Sequence, residues 1–441
     1  MSSIPTDVFC ARRARLLAGM MAQGGGVAII PTAPERERNR GTFFPYRADS
    51  HFFYLSGFRE PEAVLVLVAS DSPRQYLFCR AKNDEQETWT GHRYGPQAAA
   101  ERLGFDSAWP IDEFDHKLPE LLLDQPALWT SLAREPEWDR RILAAIKAVR
   151  TRVRSGDTAP ETVHEISSIL DDMRLIKDEI EIDLMRRAGE ISAAAHCRAM
   201  RATRPDRFEY EIEAELLHAF RAAGSQFPAY QPIVASGLNA CVLHYTDNDR
   251  RMLDGELLLI DAGCELDGYA SDITRTFPVN GRFSGPQRDL YQLVLAANHA
   301  ARAEVRPGGG WNAPHEAAVA VLTQGFIDLG LLEGDAQELI KTEAYRRFYM
   351  HRTGHWLGLD VHDAGQYKTN GQWRSFEPGM TLTIEPGCYI RPADDVPEAF
   401  WNTGIRIEDN VLVTPEGCEI LTEGVPRGIE GIEELMRDRE G

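Results

Sequence analysis

The chain carries no C-x-x-C pair. Its seven cysteines (10, 79, 197, 241, 264, 388 and 418) are an odd, widely spaced set. This fits a reduced, cytoplasmic compartment better than a disulfide framework. No run approaches about 18 apolar residues, so no membrane span is expected. Positive charge is short: 48 Lys and Arg stand against 68 Asp and Glu, for a net charge of -20. That balance favours solubility and argues against nucleic acid as the partner. H-E-x-x-H and G-x-x-x-x-G-K-[ST] are both missing. Asp247-Asn248-Asp249 opens like a calcium loop, but Arg251 and Met252 stand where a ligand and a glycine belong. There is no internal repeat.

What is present is ordinary soluble composition, 43% apolar and 26% charged, over 441 residues, enough for two or three domains. Arg12, Arg13 and Arg15 precede Leu16, Leu17, Met20 and Met21, as in a twin-arginine signal. Gln23 and three glycines break that stretch, so it reads as an amphipathic helix leading into a strand. Helix is expected over 8–22 and near 95–103, 112–124 and 136–147. Strands are expected over 27–31, 52–55, 63–69 and 75–79, giving an α/β domain over 1–174. A surface loop is expected over 154–161. Apolar spacings of three and four predict one long charged helical region over 162–200, with the domain boundary inside it. A helix over 208–223 follows, then strands from 232 onward interrupted by helices near 285–303 and 312–330. The second domain, 175–441, is therefore α+β, and its acidic tail after 424 ends in a short surface helix.

The chemistry lies in the second half. Leu257-Leu258-Leu259-Ile260-Asp261 reads as a buried strand ending in a carboxylate. Asp267-Gly268 is a hairpin turn signal. With a two-residue turn there, Asp272 faces Gly263 across the hairpin and lies diagonal to Asp261, about 7–8 Å apart at the backbone. A capped turn with a solvent-facing Asp272 is the alternative. Thr381, Thr383 and Glu385 share one face of a strand, as do Arg406 and Glu408. In isolation the last two also read as a surface ion pair. His351, His355 and His362 fall within twelve residues. The i, i+4 spacing of the first two suits a helix, whereas Gly354 and Gly358 favour a loop or strand. Four carboxylates on one buried face repel strongly unless cations sit among them. Asp261, Asp272, His355, Glu385 and Glu408 together therefore read as a two-metal hydrolase site. One imidazole among carboxylates is an oxygen-rich set that favours Mn²⁺, with Zn²⁺ or Co²⁺ as alternatives.

The ordered strings Asp261-Ala262-Gly263, Ser271-Asp272-Ile273-Thr274-Arg275, His355-Trp356-Leu357-Gly358, Thr383-Ile384-Glu385-Pro386-Gly387 and Gly404-Ile405-Arg406-Ile407-Glu408 resemble the pita-bread metallopeptidases. Methionine aminopeptidase, prolidase and aminopeptidase P belong to that family. Together with residues 44–58, which resemble the family's N-terminal domain, they look most like bacterial aminopeptidase P. The resemblance implies an α/β N-terminal domain plus an α+β pita-bread catalytic domain. It also implies release of the N-terminal residue from peptides whose second residue is proline. Prolidase is the alternative activity, and a peptide-binding module without catalysis is a further one.

The resemblance assigns roles as well. Asp261 holds one of two divalent ions, Asp272 and Glu408 bridge both, and His355 and Glu385 complete the other. Glu385 shuttles a proton, while His244 and His362 flank the substrate and steady the oxyanion. Arg406 supports a ligand carboxylate, and His351 and Tyr389 lie at the substrate pocket. Trp89 reaches a neighbouring subunit's active site, an ordinary surface or core tryptophan being the alternative. This last role implies a homo-oligomer, a tetramer or alternatively a dimer, whose N-terminal domain controls access.

Overall fold

The computed structural model describes residues 4–438, and the chain divides into two compact units after Met173. The N-terminal unit is built on a six-stranded sheet. Its order is Ser107–Pro110, Arg74–Cys79, Val64–Ala69, Gly26–Pro31, Ala127–Trp129 and Thr162–His164. Arg74–Cys79, Val64–Ala69 and Gly26–Pro31 pair antiparallel with one another, and every other pairing is parallel. Val64–Ala69 is apolar throughout and fully buried, as expected for a strand covered on both faces. Its Val64, Val66 and Val68 pack with Phe114, Leu118 and Ile142. The helix Thr6–Met21 packs on the same strand.

Of the opening arginines, Arg13 is structural. Arg13 is fully buried and donates to the carbonyls of Leu55, Leu103 and Gly104 at 2.8–2.9 Å. Those carbonyls lie at helix C-termini, where a guanidinium satisfies groups that the helix leaves open. The strand expected over 52–55 is instead a helix, Ser50–Ser56. Asp49 caps it by accepting from Phe52 N at 3.0 Å, and Gly57 closes it at φ 66°. All seven residues are buried, so no period distinguished helix from strand.

The helical region expected over 162–200 is also interrupted. It comprises the strand Thr162–His164 and the helices Ser167–Leu175 and Glu179–Ala202. The break at 176–178 is a restart. Lys177 N donates to Gly379 O at 2.9 Å, and Asp178 forms a capping box with Glu181.

In the C-terminal unit, Glu179–Ala202 packs on Glu209–Ala222, and Gly285–Ala303 on Ala313–Asp328. Between these helices run short antiparallel sheets. One is Ile233–Ser236, Leu257–Asp261 and Thr274–Pro278; another is Thr381–Ile384, Asp409–Thr414 and Gly417–Ile420. Gly387–Ile390 pairs with Thr403–Arg406. The acidic tail ends in the helix Ile429–Arg437. No helix among the described residues is long and apolar enough to cross a membrane.

Candidate metal centre

The hairpin carrying the first two acids forms with the expected register. Leu266 faces Tyr269 and Glu265 faces Ala270 around an Asp267-Gly268 turn, where φ is positive at both residues (52° and 94°). The pairing runs on through Ser271 N to Cys264 O at 3.0 Å and Ala262 N to Ile273 O at 3.0 Å, ending with Asp261 opposite Thr274. Asp261 and Asp272 are thereby brought together at 9% and 5% exposure, which removes the solvent-facing alternative for Asp272. Asn410 fixes the Asp272 backbone, accepting from its N–H at 2.9 Å and donating to its carbonyl at 2.5 Å.

The other acids come from a second set of strands. Glu385 follows directly on Thr381–Ile384. Glu408 was expected within a strand. It lies instead between Thr403–Arg406 and Asp409–Thr414, its N–H bonded to Thr274 O at 3.0 Å. This is the tie that sets the second group of strands against the first. Asn298, buried on Gly285–Ala303, donates to the carbonyls of Ile384 and Ile407 at 3.2 and 3.0 Å. One side chain therefore fastens the residues preceding both glutamates. The 351–363 segment is a loop rather than a helix, so His351 and His355 do not share a helical face.

Asp261, Asp272, His355, Glu385, Glu408, Arg406, His244, His351 and His362 all line one cavity of about 1000 Å³. Asp272, His355 and Glu408 each present a ligand atom, and those atoms lie within 4.8 Å of one another. Glu385 Oε1 is 3.6 Å from His355 Nε2. Asp261 joins through Tyr230, whose hydroxyl is 2.5 Å from an oxygen of both Asp261 and Asp272. His355 Nδ1 donates to Trp356 O at 2.9 Å, because a carbonyl can only accept; Nε2 is left facing the acids.

Charge in this cavity is unbalanced. Arg406 brings one guanidinium against four carboxyl groups, donating to Asp261 Oδ2 at 2.6 Å. Burial among neighbouring acids raises the carboxyls of Glu408, Glu385 and Asp261. Asp272 is equally buried, but His355 and Tyr230 hold it below its usual range. Burial alone lowers His355, yet Asp272 and Glu385 outweigh it and lift the imidazole to about 9. Glu408, Glu385 and His355 are thus held toward their protonated forms at positions where a cation could sit. The donor set, its convergence and its charge deficit fit divalent ions.

Tyr389, expected at the substrate, is only 2% exposed. It accepts from Arg406 Nη1 at 2.8 Å and donates to His351 Nε2 at 2.9 Å, while His351 Nδ1 donates to Arg352 O at 2.7 Å. Arginine can only donate and a carbonyl can only accept, so every proton in this chain is placed. Burial and Arg406 lower His351 to about 3 and keep it neutral. His362 lies at the cavity wall, its ring 4.3 Å from that of His355. Trp89 does not line the cavity; it stands 81% exposed on the helix Asp84–Thr90 of the N-terminal unit. Sequence reasoning missed Tyr230, Asn410 and Asn298. For Asn298 a signal existed: it is an amide on the buried helix face of Leu290, Tyr291, Val294, Ala297 and Ala301.

Comparison with known proteins agrees with this geometry. Residues 183–415 match Metallopeptidase family M24, and residues 9–129 match the aminopeptidase P N-terminal domain. A Xaa-Pro aminopeptidase of Haemophilus influenzae is 45% identical over 99% of this chain and 98% of its own length. One of Escherichia coli is 45% identical over 99% of each. The structure of aminopeptidase PepP of Pseudomonas aeruginosa matches with a TM-score of 0.97 at 49% identity, covering 99% of both chains. A zinc-substituted Escherichia coli aminopeptidase P in complex with product gives 0.96 at 43%, covering 100% of both. The chain belongs to metallopeptidase family M24. It pairs the pita-bread catalytic domain with the N-terminal domain of aminopeptidase P, and it is a metallo-aminopeptidase.

Beside His362, the buried Asp363 anchors the loop. It binds Arg174 at 2.5 Å and Lys177 at 2.9 Å, all three side chains being at most 3% exposed. Burial opposes its ionisation, but Lys177 and Arg174 prevail and lower its carboxyl to about 2. A depressed carboxylate stabilises the fold above its ordinary pKa, and that stabilisation is lost as pH falls through about 2. Asp363→Asn, which takes the carboxylate from the buried Lys177 and leaves Arg174 to Asp360, is expected to cost about 3–5 kcal/mol at pH 7 in urea unfolding. The gap from wild type should shrink below about pH 4. A cost under about 1 kcal/mol at pH 7 contradicts this.

Proposed function

We propose that this metallo-aminopeptidase releases the N-terminal residue from peptides with proline in the second position. Asp261, Asp272, His355, Glu385 and Glu408 would hold two divalent ions, manganese in the cell, with zinc or cobalt as alternatives. The observation that carries this reading is the convergence of four carboxyl groups, three buried and Glu385 partly so, and one imidazole in a single cavity. The full-length likeness to proteins named Xaa-Pro aminopeptidase supports the substrate class, and the oxygen-rich donors support manganese.

Bound divalent ions would supply Lewis acidity, lowering the pKa of a water and polarising the Xaa-Pro carbonyl. The chain's own groups do the rest. Arg406 and Tyr230 fix the Asp261 carboxylate, and Thr274 fixes Glu408 at 2.6 Å, so the acids keep their orientation. Glu385, its carboxyl raised by burial, takes up a proton and gives it to the proline nitrogen as the C–N bond breaks. That nitrogen is tertiary in the amide and must be protonated to leave. His244 and His362 donate to the carbonyl oxygen as it gains negative charge. Tyr389 positions Arg406 and His351, and His351, which lines the cavity, faces the substrate.

Residues 1–174 would mediate a homo-oligomer, a tetramer or a dimer, and narrow access to residues 175–441, the catalytic domain. The exposed Trp89 supports that role. The cysteines are all free, which supports a cytoplasmic location.

The substrate class is decided by comparing Ala-Pro-Ala with Ala-Pro. Cleavage of the tripeptide is expected; cleavage of the dipeptide alone would make the enzyme a prolidase. His362→Ala should retain two metal ions by elemental analysis while kcat falls about 10²-fold. Loss of an ion would make His362 a ligand.

A further inference from the structure

Two cations that the catalytic roles leave unused stand at the cavity that holds the acids, Arg352 lining it and Lys368 behind the lining residue Trp373. Arg352 lines the cavity and is exposed. Its Nη2 donates to Asn312 Oδ1, and its guanidinium lies 5.4 Å from the centre of the Trp373 ring. Lys368 Nζ lies 4.1 Å from the centre of that same ring. Lys368 and Trp373 face each other in a short hairpin, Lys368–Thr369 with Gln372–Trp373, turning at Asn370-Gly371. Trp373 lines the cavity and is 38% exposed. One indole thus braces both cations, which lowers the entropy of holding long side chains in place. Neither Arg352 nor Lys368 forms an ion pair among the described residues, in a chain where acids outnumber bases by 68 to 48. Unpaired cations held at a cavity mouth attract anions.

The direction of the substrate says which anion. An exopeptidase that releases one residue must seat the amino terminus at the closed end of its cavity, here the acidic one. The remainder of the peptide leaves through the mouth. An extended peptide advances about 3.3–3.6 Å per residue, so the residues just beyond the proline pass the Arg352 and Lys368 rim. We propose that Arg352 and Lys368, braced on Trp373, select peptides carrying a carboxylate shortly after the proline. That carboxylate is either the free C-terminus of a short peptide or an acidic side chain in a longer one. The inference rests on the aminopeptidase reading and adds a specificity to it.

The test measures kcat/KM at low salt for two matched pairs. Ala-Pro-Ala against Ala-Pro-Ala-amide isolates the terminal carboxylate. Ala-Pro-Glu-Ala-Ala-amide against its Gln counterpart isolates the side chain. Wild type is expected to favour the charged member of at least one pair by about 5- to 10-fold, mostly through KM, with the preference fading as salt rises. In the double variant Arg352→Gln, Lys368→Gln that ratio should fall to near 1 while the neutral peptides are cleaved as before. The pair that responds identifies the source of the carboxylate. Ratios near 1 in wild type for both pairs, or a preference that survives the double variant, would overturn the rim and leave the aminopeptidase reading intact. Failure to cleave any of the four would overturn both.

Discussion

Four carboxyl groups gathered in one place, three of them buried, dominate this structure. Each would cost several kcal/mol to keep ionised away from water, and Arg406 answers only part of their charge. The surrounding fold is organised to hold that arrangement. Tyr230 joins Asp261 to Asp272, Thr274 holds Glu408, and Asn410 holds the Asp272 backbone. Asn298 ties together the two strand ends that deliver the glutamates. Thr274 and Asn410 stand on strands and Asn298 on a helix, so the acids, which lie at or just beyond strand ends, are tied to rigid elements.

The same arrangement gives the cavity a polarity. One side of its wall is acidic, while another carries the exposed Arg352 and Trp373, with Lys368 on the same indole. A peptide has the opposite polarity, with a cationic amino end and an anionic carboxyl end. Its favourable orientation places the amino end among the acids, which is the orientation an aminopeptidase needs. The histidines divide by environment along the way. His355 is lifted by the acids, and His351 is kept neutral by burial and Arg406. His362 is lowered by burial and by His355, which favours a neutral ring that still has an N–H to donate.

Much of the site was legible because its residues break local patterns. An acid ending the fully apolar strand 257–261, and a glutamate following the alternating strand 381–384, stand out in sequence. The Asp267-Gly268 turn fixed the register that brings Asp261 and Asp272 together. The family motifs then placed His355, Glu385 and Glu408 in one set. Less legible was anything that depends on burial alone. The helix Ser50–Ser56 is buried on every side, so its apolar run carried no period. The restart at Asp178 was written as D-E-I-E but lay inside a continuous periodic pattern. Tyr230 and Asn410 act through contacts far apart in sequence, at separations of 31 and 138 residues. Tyr389 stood beside a ligand strand and read as a pocket residue, whereas its hydroxyl is committed to Arg406 and His351.

The central claim is that divalent cations take the place of protons among these acids. Calorimetric titration of the metal-stripped protein with Mn²⁺ at pH 7, repeated in buffers of different ionisation enthalpy, tests it directly. Two ions per chain are expected, with net proton release, because His355 is raised to about 9 and Glu385 and Glu408 are raised by burial. Binding of fewer than two ions, or binding with no protons released, would contradict the account.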